Sequence, residues 1–128
     1  MAHIAVINDD TAFLQLMLDL LTDVGYDVTL HREGAGAHQQ VRHEHPDLVI
    51  LDIRMEQPDS GWLVLEMLRL DPATGDIPVI VCSADSHQLR DKNEMLRAQN
   101  CETLEKPFDL DALLVLVRRL VGPPEVVA

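Results

Sequence analysis

Asp52, Lys106, Ser83 and the cluster Asn8-Asp9-Asp10 are the residues of this chain best placed to do chemistry, because each stands where an apolar run stops. Asp52 closes Leu48-Val49-Ile50-Leu51, and Asn8-Asp9-Asp10 follows Ile4-Ala5-Val6-Ile7. Ser83-Ala84 follows Val79-Ile80-Val81-Cys82, and Lys106-Pro107-Phe108 lies just past Cys101 to Leu104. Four apolar residues in a row read as a strand buried on both faces, the kind found inside a parallel sheet. The carboxyl ends of such strands are where open α/β sheets place their active crevice. Each residue alone has an ordinary reading. Asp9 or Asp10 would be a helix-start acid favoured by the macrodipole, and Asp52, Ser83 or Asp85 a turn or cap residue. Lys106 alone would be a solvated lysine. Their joint occurrence at four strand ends points to a site.

The elements that must position these residues alternate along the chain. Ile4–Ile7 is a short strand, and apolar residues at helical spacing (Phe13, Met17, Leu20, Leu21, Val24) predict a helix over Thr11–Val24 that stops at Gly25. A second strand is expected at Tyr26–Leu30 and a polar helix over about 36–44, halted before Pro46. The third strand is Leu48–Leu51, followed by a helix over 61–70. The fourth covers Ile77–Cys82, with Pro78 at its start, and is followed by a helix over 86–99. A short strand at 101–104 and a last helix over 110–121 complete the pattern, which Gly122-Pro123-Pro124 ends. Five βα units predict a doubly wound α/β fold, one parallel sheet with helices on both faces. The last helix should bury Leu110, Leu113, Leu114, Val117, Leu120 and Val121, with Leu116 on the flank and Val115 pointing away. The domain is expected to span 1–121, with 122–128 a short proline-containing tail.

Composition narrows the function. A chain of 128 residues suits one domain with a real core. A net charge of −12 argues against nucleic acid as a direct ligand, because phosphate backbones need a basic face. No apolar stretch reaches the ~20 residues of a membrane span, and the N-terminus lacks a signal-peptide pattern. Cys82 and Cys101 show neither metal nor disulfide-framework spacing. A cytoplasmic protein with reduced thiols is expected. His38, His43 and His45 cluster on the polar helix, but at no spacing that favours a tetrahedral site.

Taken in order, Asn8-Asp9, Asp52, Ser83-Ala84 and Lys106-Pro107-Phe108 make the chain resemble a receiver domain of bacterial response regulators over residues 3–121. The resemblance implies a flavodoxin-like (βα)5 fold that takes a phosphoryl group from a histidine kinase or phosphotransfer protein onto Asp52. Such transfer rests on positioning and charge neutralisation. It implies Mg²⁺, or Mn²⁺, held by Asp9, Asp52 and the backbone carbonyl of Arg54, with Asn8 acting through water and Asp10 a further candidate. Lys106 would pair with the phosphoryl group and Ser83 would donate a hydrogen bond to it. Output would go to a downstream protein through residues 86–121, from a monomer or weak homodimer, with no enzyme activity beyond self-phosphorylation and dephosphorylation. Only seven residues follow Val121, so action through a partner is expected.

Three departures from the family pattern, and one pair of charges beside the site, matter. Asn8 stands where an acid normally holds the metal through water, so weaker Mg²⁺ binding is expected. The loop Asp52–Gly61 is one residue longer than usual, with Pro58 displaced. Thr103 takes the place of an aromatic that swings inward on activation. Arg54 and Asp85 are oppositely charged and flank the reactive position, so they could pair across its mouth and slow hydrolysis. Asn8, the altered loop and Thr103 also allow an alternative: a receiver-like interaction module that is not phosphorylated in use. Crowded carboxylates predict that Asp52→Asn stabilises the metal-free fold. The helix over 86–99, with Leu89 and Leu96 on one side and little else strongly apolar except Met95, is expected to move easily.

Overall fold

The computed structural model describes residues 2–53 and 60–123. Five strands, β1 (His3–Ile7), β2 (Asp27–His31), β3 (Leu48–Asp52), β4 (Val79–Ser83) and β5 (Cys101–Glu105), form one parallel sheet in the order β2-β1-β3-β4-β5. Among the described residues, six helices connect and cover them: α1 (Thr11–Asp23), α2 (Ala37–Glu44), α3 (Ser60–Leu70), α4 (Ser86–Asp91), α5 (Asn93–Ala98) and α6 (Leu110–Val121). The expected doubly wound parallel sheet is therefore what the chain forms.

Alternate strand residues feed two cores. Ala5, Ile7, Val49, Leu51, Val79 and Val81 pack with residues of α2 to α5. Ile4, Val6, Leu48, Ile50, Ile80 and Cys82 pack with α1 and α6 on the other face. This two-sided burial is why β3 and β4 are continuously apolar instead of alternating.

The boundaries differ from the sequence expectations in instructive ways. β2 begins one residue later, at Asp27, because Tyr26 is drawn beneath the sheet, where its hydroxyl donates to the Gly122 carbonyl at 2.9 Å. β4 begins at Val79, since Ile77 is held in the preceding turn by its N–H to Thr74. The expected single helix over 86–99 is two short helices broken at Lys92. Leu89 and Leu96 are buried, one in each piece, and the polar stretch between them has no apolar anchor to keep the turns in line. In α1, Leu14 joins Met17 and Leu21 as the fully buried set, with Phe13, Leu20 and Val24 half-buried around them. In α6, Leu116 is buried with Leu113 and Val117 instead of lying on the flank, while Val115 is 69% exposed. The α6 stripe is therefore centred closer to Leu116 than the sequence pattern indicated.

Candidate functional site

Strand ends β1, β3, β4 and β5 converge on one crevice. Asp52 is the last residue of β3 and only 7% exposed. Its Oδ1 lies 3.2 Å from Lys106 Nζ, a partly buried ion pair between residues 54 positions apart. Lys106 is placed by its backbone, whose N–H donates to the Ser83 carbonyl at 2.8 Å just past β5. One ring lies against its side chain, and a second braces that ring. The ammonium lies 5.3 Å from the Phe13 ring centroid, and Phe13 meets Phe108 edge-on at 6.2 Å. Ser83 is buried at the end of β4, and its Oγ accepts the Asp85 N–H at 3.0 Å.

The first cluster divides its labour. Asn8 is 1% exposed; its N–H donates to the His31 carbonyl, and its Oδ1 accepts the Asp10 N–H at 2.8 Å. Asp9 is exposed at the mouth. Asp10 takes the ordinary role weighed for it: its Oδ1 accepts from Ala12 and Phe13 N–H and caps α1. Asp85 likewise caps α4, accepting the Gln88 N–H at 3.0 Å. Among the described residues, no group of three acidic, histidine or cysteine side chains stands ready to hold a metal. The Lys106 ammonium beside Asp52 opposes the carboxylate repulsion behind the expected stabilisation by Asp52→Asn. Arg54, its backbone carbonyl and its pairing with Asp85 lie outside the described residues.

Two contributors were not singled out as site residues in the sequence. Phe13 reads there as core, and only its position over Lys106 gives it a second role. Gly61 packs directly on the end of β3. Its N–H donates to the Ile53 carbonyl at 3.0 Å, and a Cβ there would collide with Ile53 Cα and O and come within 2.5 Å of the Asp52 carbonyl oxygen. The sequence signal was the glycine closing the loop after Asp52.

Other titratable groups are structural. Cys82 pairs in register with Asp52, and burial pushes its thiol up to about 12, so it packs as a neutral apolar group. His38 Nε2 lies 2.8 Å from Asp71, and Arg42 Nε lies 3.4 Å from the same carboxylate. His31 lies 3.3 Å from Glu44.

Residues 4–118 match the response regulator receiver domain. The chain belongs to that family. Receiver domains are the phosphoacceptor modules of two-component signalling, and that is the function this chain shares with its family. It is 31% identical over 124 residues to the chemotaxis protein CheY of Bacillus subtilis, covering 95% of this chain and 100% of that protein. It is 35% identical over 121 residues to the DNA-binding dual master transcriptional regulator RpaA of Synechocystis sp., covering 94% of this chain. The chain spans 49% of RpaA and 26% of the transcriptional regulatory protein ZraR of Escherichia coli. Among solved structures, a Francisella response regulator receiver domain matches with TM-score 0.81 at 29% identity, covering 94% of this chain and 97% of that one. Vibrio cholerae CheY4 matches the fold with TM-score 0.80 at 23% identity, covering 94% and 98%. No helix among the described residues is long and apolar enough to cross a membrane.

Proposed function

We propose that Asp52 is the phosphoacceptor of this receiver domain. The observation that carries this reading is the Lys106–Asp52 ion pair, 3.2 Å long, at the carboxyl end of β3. A carboxylate oxygen of Asp52 attacks the phosphorus of a phosphohistidine on a histidine kinase or phosphotransfer protein. A P–O bond forms and the P–N bond breaks, and the imidazole nitrogen leaves with the electron pair. Lys106 sits where it can follow the charge from the carboxylate to the phosphoryl oxygens without moving far. Ser83 Oγ, fixed by the Asp85 N–H as acceptor, keeps its own proton to donate to the same group.

A divalent ion suits the donors at the mouth. Asp9, just past β1, and Asp52, at the end of the neighbouring β3, offer hard carboxylate oxygens, and Mg²⁺ or Mn²⁺ needs only one or two carboxylates besides waters. When bound, the ion would draw charge from the phosphoryl oxygens. The Pseudomonas aeruginosa sensor-kinase receiver domain, similar in fold, is described with magnesium in its active-site cleft. Arg54 would add its backbone carbonyl.

The phosphoryl group then shifts the populations of the face around Ser83, Lys106, α4 and α5. The break at Lys92 supports that face as the one that moves. A protein partner reads it through residues 86–121, where Val115 is exposed. An acidic domain of net charge −12 makes no direct contact with nucleic acid in this reading, works in the cytoplasm and has no other substrate. Intact mass after incubation with acetyl phosphate tests the assignment. We expect a Mg²⁺-dependent gain of one phosphoryl group that Asp52→Asn abolishes. No gain from acetyl phosphate or from a kinase donor, with the fold intact, would refute it.

A further inference from the structure

Asn8 is buried at the crevice with half of its amide unused. Its Oδ1 faces the Asp10 N–H at 2.8 Å. That backbone group can only donate, so the atom facing it must be the amide oxygen, which settles the orientation of the side chain. The other end, Nδ2, is fully buried and has no hydrogen-bond partner among the described residues. Leaving a buried donor unpaired is costly, and such groups in native structures call for an explanation.

The location supplies one. β1 and β3 pair in parallel register, Ile7 opposite Leu51, so the next step along each strand sets Asn8 beside Asp52. A water held by a divalent ion turns both protons outward and needs an acceptor. The unpartnered end of the Asn8 amide is a donor, which a metal-bound water with both protons turned outward does not satisfy. An anionic oxygen is the partner an N–H wants.

We propose that Asn8 is a specificity-determining residue that recognises the phosphoryl group and not the metal. Its Nδ2–H donates to a phosphoryl oxygen on Asp52, alongside Lys106 and Ser83, and gives no support to the metal's water shell. This rests on the receiver reading of Asp52. It goes further in making the crevice a three-donor anion clamp whose hold on the divalent ion is correspondingly loose.

Two measurements on the full chain test it. The first is Mg²⁺ affinity by calorimetric titration of wild type, Asn8→Asp and Asn8→Ala. Asn8→Asp should bind Mg²⁺ at least about tenfold more tightly, because a carboxylate adds charge and an acceptor. Asn8→Ala should bind it no more weakly than wild type. If Asn8→Ala loses affinity severalfold, the amide is a holder of the metal's water and the proposal falls. It falls equally if Asn8→Asp binds no more tightly. The second is the side-chain amide signal of Asn8 in ¹⁵N-labelled protein, identified by its loss in Asn8→Asp. One NH₂ proton should move downfield when acetyl phosphate and Mg²⁺ phosphorylate Asp52, and stay in place with Mg²⁺ alone. An unmoved signal in protein whose mass shows the added phosphoryl group would overturn the donor role. Absence of any phosphoryl gain would count against Asp52 as phosphoacceptor, and the Ala and Asp metal affinities would still decide the orientation of Asn8.

Discussion

Replacing Gly61 by alanine should damage both the stability and the chemistry of this domain, and the structure sets the scale. The new Cβ would reach within 2.5 Å of the Asp52 carbonyl oxygen, about 0.9 Å short of the 3.4 Å at which ordinary contact begins, and would collide with Ile53 Cα and O. All three atoms are backbone, so no side chain can swing aside. Either the end of β3 moves or α3 backs away and stretches the Gly61 N–H to Ile53 O bond, now 3.0 Å. Overpacking of this kind costs about 1–3 kcal/mol, and loss of the hydrogen bond about 1 kcal/mol more. For a domain of this size that is a fall in Tm of about 6–12 °C. A shift approaching 1 Å at Asp52 should also slow phosphorylation by up to about 100-fold at temperatures where the variant is folded. Thermal denaturation by circular dichroism gives the first number, and the rate of mass gain with acetyl phosphate the second. Gly36→Ala is the control, because nothing lies within 4 Å of its Cβ and only its φ of +80° is penalised, by about 1 kcal/mol. A Gly61→Ala variant as stable and as reactive as wild type would refute the claim that α3 positions the end of β3.

Two further outcomes follow from groups away from the reacting atoms. The Ala73 N–H and His38, with Arg42 beside them, hold the Asp71 carboxyl below the usual carboxylate range. A depressed folded pKa contributes stability that is present above the unfolded value of about 4 and lost as pH falls through the folded value. The stability gap between wild type and Asp71→Asn in urea should therefore be wider at pH 6 than at pH 3, and a constant gap would remove the charge argument. Asp85→Ala should cost about 1 kcal/mol by loss of the α4 cap, while Asp85→Asn keeps a capping oxygen and should cost a few tenths. If both variants also lose the phosphoryl group faster than wild type, the charge of Asp85 guards the site as well, and equal stability costs would exclude capping as its structural role.

The order of strands and helices was legible in the chain because each element carries its own period. The apolar runs at 4–7, 48–51 and 79–82 are what two-sided burial in a parallel sheet demands, and Gly25 and Gly122 mark helix ends through backbone geometry alone. The site was legible for a related reason: a parallel sheet gathers its strand ends at one edge, so Asn8, Asp9, Asp52, Ser83 and Lys106 had to approach each other once the alternation was recognised. Tertiary structure decided what depends on neighbours distant in sequence. The split at Lys92 reflects how few core contacts hold the 86–99 stretch. Burial of Leu116 depends on how α6 lies against the sheet, and the edge-on contact of Phe13, the ring beneath Lys106, with Phe108 joins residues 95 positions apart. The amide of Asn8 is the sharpest case. Its identity is written in the chain, but which end meets the backbone at the start of α1 and which is left buried without a partner is set by packing that no local period encodes.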